Sequence, residues 1–224
     1  MSEPLPFEIR KFQRVDRARV RQLCCETGFL GNPIDPVFED RELFADYLTA
    51  YYTDWEPESS FVLLNEGEIT GYLLGSRFPL RQQVYNVYQN VSIFLRGIVR
   101  FPRYNAASKA FIKWIVSTAW REVPAAPRRC AHFHINLLAG SRNVATTRAI
   151  MDAYLAYLSE KGEKQVYGQM VTFESRRGFK MFERYGFRVV NKSRISKYDG
   201  IHPEPEYLCT VVKDLEANSQ LYSK

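Results

Sequence analysis

One strand-like segment, followed at once by a turn and a helix, most constrains what this chain can fold into. Residues 130 to 138 read CAHFHINLL, and a period of two places His132, His134 and Asn136 on one face of a strand. The sequence AGSRN then leads into ATTRAIMDAYLAYLSEKG, whose apolar residues recur at helical spacing up to Gly162. Because QVYGQMVTF follows as another strand, the centre of the chain is predicted to be strand, helix, strand.

The flanking segments supply the remaining strands and helices. A strand is predicted from Phe7 toward Val15, then a helix with Asp16 as its N-cap and a second helix over residues 39 to 52. SFVLLN and EITGYLL, joined by Asn65-Glu66-Gly67, indicate a hairpin. A helix over 174 to 185 and the strands FRVVNKSRI and EYLCTVVKDL close the chain. The predicted class is α+β, with a mixed central sheet flanked by helices.

Residues 76 to 129 form a basic, aromatic, helical segment between the third and fourth strands. They hold ten Lys and Arg against Glu122 alone, a net charge of +9 in a chain whose total is +6. We interpret this segment as an insertion within one domain spanning residues 1 to 224. Its aromatic side chains could pack over the sheet, which is the interpretation we favour, or cover a substrate site. The charge could attract an acidic substrate, the phosphate of a cofactor or an anionic membrane, or it could belong to a solvated helix face. Without a recognition motif, nucleic acid is not the expected partner.

Several classes of protein are excluded. The first residues, MSEPLPFEIRKF, lack the apolar core of a signal peptide, and no window reaches the roughly 18 apolar residues of a membrane span. The expected location is therefore cytoplasmic. Cys24, Cys25, Cys130 and Cys209 show no metal-binding spacing, so they are predicted to be buried free thiols, with no metal site.

Element order and three local motifs resemble the GNAT superfamily of N-acetyltransferases. Arg142, Ala145 and Thr147 occupy the positions of the family's Arg/Gln-x-x-Gly-x-Gly/Ala loop, with both glycine positions substituted. Residues 181 to 187, MFERYGF, are similar to the family's F-Y-x-x-x-G-F ending, and Ser175 stands where an Asn is common. Residues 131 to 134, AHFH, resemble the A-H-x-H strand of one GNAT subset.

The resemblance implies a GNAT fold that binds acetyl-CoA as the acyl donor and an amine as the acceptor. Backbone N–H groups near Leu137 or Leu138 would polarise the thioester carbonyl. The loop at a helix N-terminus would bind the pyrophosphate of CoA through successive N–H groups. The residues implied in cofactor binding are Leu137, Leu138, Arg142, Asn143, Val144, Ala145, Thr146, Thr147, Ser175 and Phe182.

For the chemistry, His134 is predicted to accept the amine proton, with His132 as a relay. Phe182 replaces the Tyr that serves the family as general acid, which leaves Tyr167, Tyr185 or water. The carboxylates Asp54, Glu56 and Glu58 could line a pocket for a cationic amine.

Each assignment has an alternative. The histidines could be core residues satisfied by hydrogen bonds, and the carboxylates could belong to a solvated loop. At the level of function, the alternatives are a degenerate GNAT domain that senses acyl-CoA or mediates interactions, and a basic binder of nucleic acid or a membrane surface. The sequence also allows a homodimer.

Overall fold

The structure, a computed structural model, describes residues 7–173 and 182–215. The strands are β1 (Phe7–Lys11), β2 (Phe61–Asn65), β3 (Glu68–Ser76), β4 (Ala131–Leu137), β5 (Gln165–Phe173), β6 (Arg188–Ile195) and β7 (Glu206–Asp214). The helices are α1 (Arg17–Glu26), α2 (Arg41–Ala50), α3 (Pro79–Arg100), α4 (Ala106–Ser117), α5 (Ala119–Glu122) and α6 (Val144–Glu160). A π-helical turn, Tyr51–Trp55, extends α2.

Seven strands form one mixed sheet in the order β1-β2-β3-β4-β5-β7-β6. Among the strands of residues 7–173 and 182–215, only β4 and β5 pair in parallel, with α6 as the crossover between them, and the other pairs are antiparallel. The β2–β3 hairpin turns through Glu66 and Gly67, whose φ angles are 50° and 82°. Positive φ at both central residues is the type I′ geometry that the sequence signal favours, so the hairpin prediction is confirmed.

The two faces of the sheet carry separate cores. Phe133 and Leu137 of β4 belong to the core that contains Ile150 and Tyr154 of α6. On the opposite face, Tyr72 and the residues around it belong to the core formed with α1 and α2. The predicted period of two in β4 is confirmed, because His134 and Asn136 lie beside Tyr72 while Phe133 faces α6.

The parallel ladder between β4 and β5 is short. It consists of Ala131↔Val166, His132↔Tyr167 and Phe133↔Gly168, although β4 continues to Leu137 and β5 to Phe173. The strands therefore diverge after the third pair, and their facing edges are not bonded to each other beyond it. This opening, which we call the β4–β5 fork, lies at the carboxyl ends of two parallel strands, where α/β sheets commonly bind ligands.

The basic segment is helical, as predicted, with α3, α4 and α5 between β3 and β4. Helix α3 ends at Arg100, immediately before Phe101 and Pro102, because proline cannot donate to the helical ladder. The expectation that its aromatic side chains pack over the sheet is only partly correct. Tyr85 is buried, but Tyr88, Phe94 and Trp120 are more than half exposed.

Two local predictions differ from the structure at the amino-terminal end. Strand β1 stops at Lys11, and Asp16 does not cap α1 with its side chain. Its carboxylate instead accepts from the Gln13 N–H at 2.8 Å and from the Arg10 guanidinium at 2.7 and 2.9 Å. Those bonds stabilise a short 3-10 turn, Arg14–Asp16, where the longer strand was expected.

The predicted helix over 174 to 185 falls mostly outside the described residues, which contribute a helical turn at 182–184. All four cysteines are buried free thiols, as predicted. Among the helices that the structure describes, none combines the length and the apolar character needed to cross a membrane.

Candidate active site

His134 stands where the β4–β5 fork opens, one residue beyond the last parallel pair, Phe133↔Gly168. Its ring centroid is 5.6 Å from that of Tyr72, in an edge-on arrangement, and its Nδ1 is buried. No residue within 7–173 or 182–215 accepts or donates a hydrogen bond at that nitrogen. The structure thus brings the predicted base to the edge of the opening.

His132 lies two residues before His134 in β4 and pairs with Tyr167 in the parallel ladder. Its Nε2 is 2.9 Å from the hydroxyl of Tyr52, which also accepts a hydrogen bond from the Gln82 amide at 3.1 Å. Its ring centroid is 5.3 Å from that of Tyr167, its partner across the ladder. A hydrogen-bonded chain therefore runs from helix α3 through Tyr52 to His132.

Burial determines the charge of both imidazoles. It lowers the pKa of His132 to about 4 and the pKa of His134 to about 4, the charge of Lys197 adding to the effect at His134. Burial also lowers the pKa of Lys197 itself to about 8. Both histidines are neutral at pH 7, the protonation state that a proton acceptor requires.

The backbone N–H groups of Leu137 and Leu138 are directed to opposite edges of β4. The Leu138 N–H donates to the Thr70 carbonyl at 2.9 Å, so it is used in the β3–β4 ladder. Successive residues of a strand direct their N–H groups to opposite sides. The N–H groups of Leu137 and Ile135 are therefore directed toward β5, past the point where β5 is paired with β4.

The N-terminus of α6 follows β4 and is capped from within. The Asn143 side chain accepts from the Thr146 N–H at 3.0 Å, and the Thr146 hydroxyl donates to the Ser141 carbonyl at 2.5 Å. Thr146 is buried and its hydroxyl is committed to the cap, so that hydroxyl is not available to a ligand. Thr147 is half-buried, and its part in cofactor binding stays a prediction.

The first two residues of α6, directly after this loop, are exposed. Val144 and Ala145 occupy the first two positions of the helix and are exposed, and their N–H groups meet no acceptor in the described part of the chain. Helix N-termini favour anions through such groups and through the helix dipole. The guanidinium of Arg142 reaches away from this end to lie against Gly31, in the loop between α1 and α2.

The two residues proposed from the second motif have different outcomes. Phe182 is buried in the α6-side core with Phe133 and Phe187, and its carbonyl accepts from the Phe187 N–H at 3.0 Å. It acts in packing, and its contact with a cofactor stays a prediction. Ser175 lies outside the described residues.

The three carboxylates do not gather into one pocket. Asp54 forms a bidentate pair with Arg17 at 2.6 and 2.9 Å, and Glu58 is exposed. Glu56 is fully buried and accepts four hydrogen bonds of 2.6 to 2.7 Å, from Tyr51, Ser59, Ser76 and the Arg77 N–H. The interpretation as an acceptor pocket is wrong for Glu56, whose oxygens are all used within the fold.

Sequence reasoning missed Tyr52 and Lys197. Tyr52 belongs to the helical apolar pattern of residues 39 to 52, and nothing in that pattern distinguishes it from a core residue. Lys197 lies in the connection between β6 and β7, far from β4 in the sequence. Only the folded sheet brings these side chains to the histidines.

Within residues 7–173 and 182–215, no group of three or more His, Cys, Asp or Glu side chains is arranged to hold a metal ion. The arrangement that the structure does present is an open strand fork, inward-directed backbone donors, a helix N-terminus and neutral imidazoles. Such a set can bind a phosphate-bearing thioester and accept a proton beside it.

No family model and no curated protein matches the chain. Solved structures match most of the chain. A protein solved as SsHAT is 22% identical, with a TM-score of 0.60 over 94% of this chain and 99% of its own. The polyamine N-acetyltransferase of Drosophila melanogaster is 14% identical, with a TM-score of 0.58 over 93% of this chain and 99% of its own.

A Salmonella typhimurium protein, provisionally named an acetyltransferase and solved with its cofactor acetyl-CoA, is 10% identical, with a TM-score of 0.51 over 94% of this chain and 95% of its own. At these identities the likeness concerns the fold. The mixed seven-stranded sheet, with its flanking helices, is shared with N-acetyltransferases. The chain therefore has the GNAT acyl-CoA N-acyltransferase fold.

Proposed function

We propose that this protein transfers an acetyl group from acetyl-CoA to a primary amine. The observation that carries the proposal is His134 at the opening of the β4–β5 fork, in a fold shared with N-acetyltransferases. Acetyl-CoA would supply an activated thioester. The chain supplies the N–H of Leu137 for the carbonyl oxygen and the N–H groups of Val144 and Ala145 for the pyrophosphate.

Proton transfer is assigned to the side chains at the fork. The amine nitrogen forms a bond to the carbonyl carbon, its proton passes to neutral His134, and the C–S bond breaks. The CoA sulfur can leave as a thiolate, or it can take a proton from the hydroxyl of Tyr167, whose pKa is raised by burial. Tyr167 is favoured over Tyr185, because Tyr185 packs against the α6-side core while Tyr167 lies beside His132.

The acceptor is proposed only as a primary amine of a small molecule or peptide. A polyamine N-acetyltransferase is among the structures that share the fold, so agmatine and polyamines should be included in the first panel of acceptors. Asp54 and Glu56 give no support to a cationic acceptor, since both carboxylates are already paired or hydrogen-bonded.

The experiment measures thiol release with acetyl-CoA across a panel of primary amines, after thermal shift with acetyl-CoA alone. Wild-type protein should be stabilised by acetyl-CoA and should release thiol only when an amine is present. His134→Ala should keep the stabilisation but lose about 100-fold or more in kcat, the usual size of general-base catalysis. His202→Ala, which removes the histidine between β6 and β7, is the matched control and should retain activity.

A second candidate function is that of a module that binds acyl-CoA without transferring the acyl group, because Phe182 is buried and carries no proton donor. Stabilisation by acetyl-CoA without release of thiol in the presence of any amine of the panel would favour this binding module. Absence of stabilisation at millimolar acetyl-CoA would refute both functions.

A further inference from the structure

The outer side of helix α3 exposes a continuous apolar surface. Eight side chains on it are each more than half exposed, from 54% for Ile98 to 73% for Val84. We call this set the apolar stripe; it consists of Leu80, Val84, Val87, Tyr88, Val91, Phe94, Leu95 and Ile98. The opposite side of α3 faces the body of the protein, where Tyr85 and Gln89 are buried.

Spacing along the apolar stripe follows a heptad repeat, in which positions a and d of each seven residues are apolar. All three a positions carry a β-branched residue, and the intervening d positions carry Leu, Val or Phe. In parallel coiled coils, β-branched residues at a favour pairing of two helices. The a residues are Val84, Val91 and Ile98, and the d residues are Leu80, Val87 and Phe94.

The area of the apolar stripe suits a stable dimer. The eight side chains together expose roughly 1,000 Å² of accessible surface. The largest apolar patch of a typical monomer is ~300–600 Å², and each partner in a standard interface buries ~800 Å². A surface of this size is unfavourable in water, and a copy of the same helix would cover it.

Charge around the stripe distinguishes between partners. Helix α3 contains no acidic residue, and its polar flank is uncharged at Gln83 and Asn90. Arg96 and Arg100 are paired with Asp46 and Asp40 of the protein body at 2.5 and 2.6 Å. A lipid surface would need free basic side chains beside the stripe, and only Arg81 is left within the helix.

We propose that the apolar stripe of α3 binds the same stripe on a second copy of this chain. The contact is isologous, so one two-fold axis passes between the two α3 helices and the assembly closes as a dimer. In a parallel pair, the uncharged Gln83 and Asn90 of one copy lie beside Tyr88 and Leu95 of the other, without repulsion between like charges. The proposal concerns assembly alone and does not depend on acetyl transfer.

The test is sedimentation velocity of the full chain from about 1 to 100 μM. Wild-type protein should sediment as a dimer at the upper concentrations. Val91→Glu, at the centre of the stripe, should weaken dimerisation at least ~100-fold, because two carboxylates would face each other in an apolar contact. Val84→Glu, at a more exposed position, should do the same. Val15→Glu is the matched control, since Val15 is 79% exposed but lies outside α3, and it should leave the dimer intact.

Circular dichroism and melting temperature of each variant show that it is folded. Wild-type protein that is monomeric at 100 μM overturns the proposal. A monomer that co-sediments with phosphatidylserine vesicles would also overturn it and would assign the stripe to a lipid surface. Dimers that persist unchanged in both Val84→Glu and Val91→Glu would place the interface elsewhere.

Discussion

His132 and His134 are alike in sequence context but differ in their surroundings. His132 is held by the Tyr52 hydroxyl and flanked by Tyr167, with the Glu56 carboxylate close enough to act on its charge. His134 faces Tyr72 and Lys197 at the mouth of the fork. The ring of His132 is fixed by a hydrogen bond at Nε2, whereas Nδ1 of His134 meets no hydrogen-bond partner among the described residues.

Their low pKa values predict how stability depends on pH. Each imidazole has a pKa of about 4 in the folded protein and ~6.5 when unfolded, so between these values the unfolded chain binds more protons. The free energy of unfolding should therefore be constant, as far as these groups are concerned, above pH 6.5 and fall below it. The expected loss is roughly 2 kcal/mol per histidine by pH 5.

Chemical denaturation of wild type and His132→Gln at pH 7 and pH 5 measures this effect. The variant should lose less stability between the two pH values, because glutamine does not titrate. Comparison with the variant is needed because the pKa of Glu206 is raised by burial, a change whose effect on stability has the opposite sign. An equal loss in both proteins would contradict the assignment to His132.

At the scale of elements, Glu56 joins three parts of the chain. Its carboxylate accepts from Tyr51 in the π-helical turn, from Ser59 in the following turn, and from Ser76 and Arg77 at the end of β3. Buried carboxylates are stable only when their oxygens are satisfied in this way. The turn that carries Tyr52 toward His132 is thus anchored to the sheet by one side chain.

Glu56→Gln should destabilise the protein by about 2–4 kcal/mol, because the amide replaces an acceptor with a donor among four donors. Glu58→Gln, two residues away and exposed, is the matched control and should change stability by less than about 0.5 kcal/mol. The measurement is urea denaturation at pH 7. Equal effects of the two substitutions would show that the hydrogen bonds to Glu56 contribute little.

Features that neighbouring residues determine were predictable from the sequence, whereas roles that depend on residues far apart in the sequence were not. The hairpin at Glu66 and Gly67 and the alternation in β4 depend on backbone conformation and on period, which neighbouring residues determine. The roles of Glu56 and Lys197 depend on partners that the fold brings together. The apolar pattern of α3 indicated a helix correctly, but a pattern cannot say whether its apolar side faces a core or another molecule.

At the scale of the molecule, the sheet consists of two parts joined by three parallel pairs of residues. Strands β1 to β4 form one part and β5 to β7 the other. A molecule bound in the β4–β5 fork would contact both. Binding of acetyl-CoA should therefore slow amide hydrogen exchange on both sides of the fork, at Ile135 and Leu137 and in the residues of β5 beyond Gly168.

Hydrogen exchange with mass spectrometry, with acetyl-CoA at about 100 times its Kd, should show roughly 10- to 100-fold slower exchange at the fork. The β1–β2 ladder is the internal control, since it lies at the far edge of the sheet and should change less. Protection confined to α6, without any change in β4, would contradict binding in the fork.

The chain of hydrogen bonds from Gln82 to His132 has a consequence for the tautomer of that imidazole. The Gln82 amide donates to the Tyr52 oxygen, so the single proton of the Tyr52 hydroxyl is available to His132 Nε2. In that arrangement His132 carries its own proton on Nδ1, which is buried and meets no acceptor among residues 7–173 and 182–215. Because Gln82 lies on the helix that bears the apolar stripe, a displacement of α3 away from Tyr52 would remove the donation that orients the Tyr52 hydroxyl toward His132.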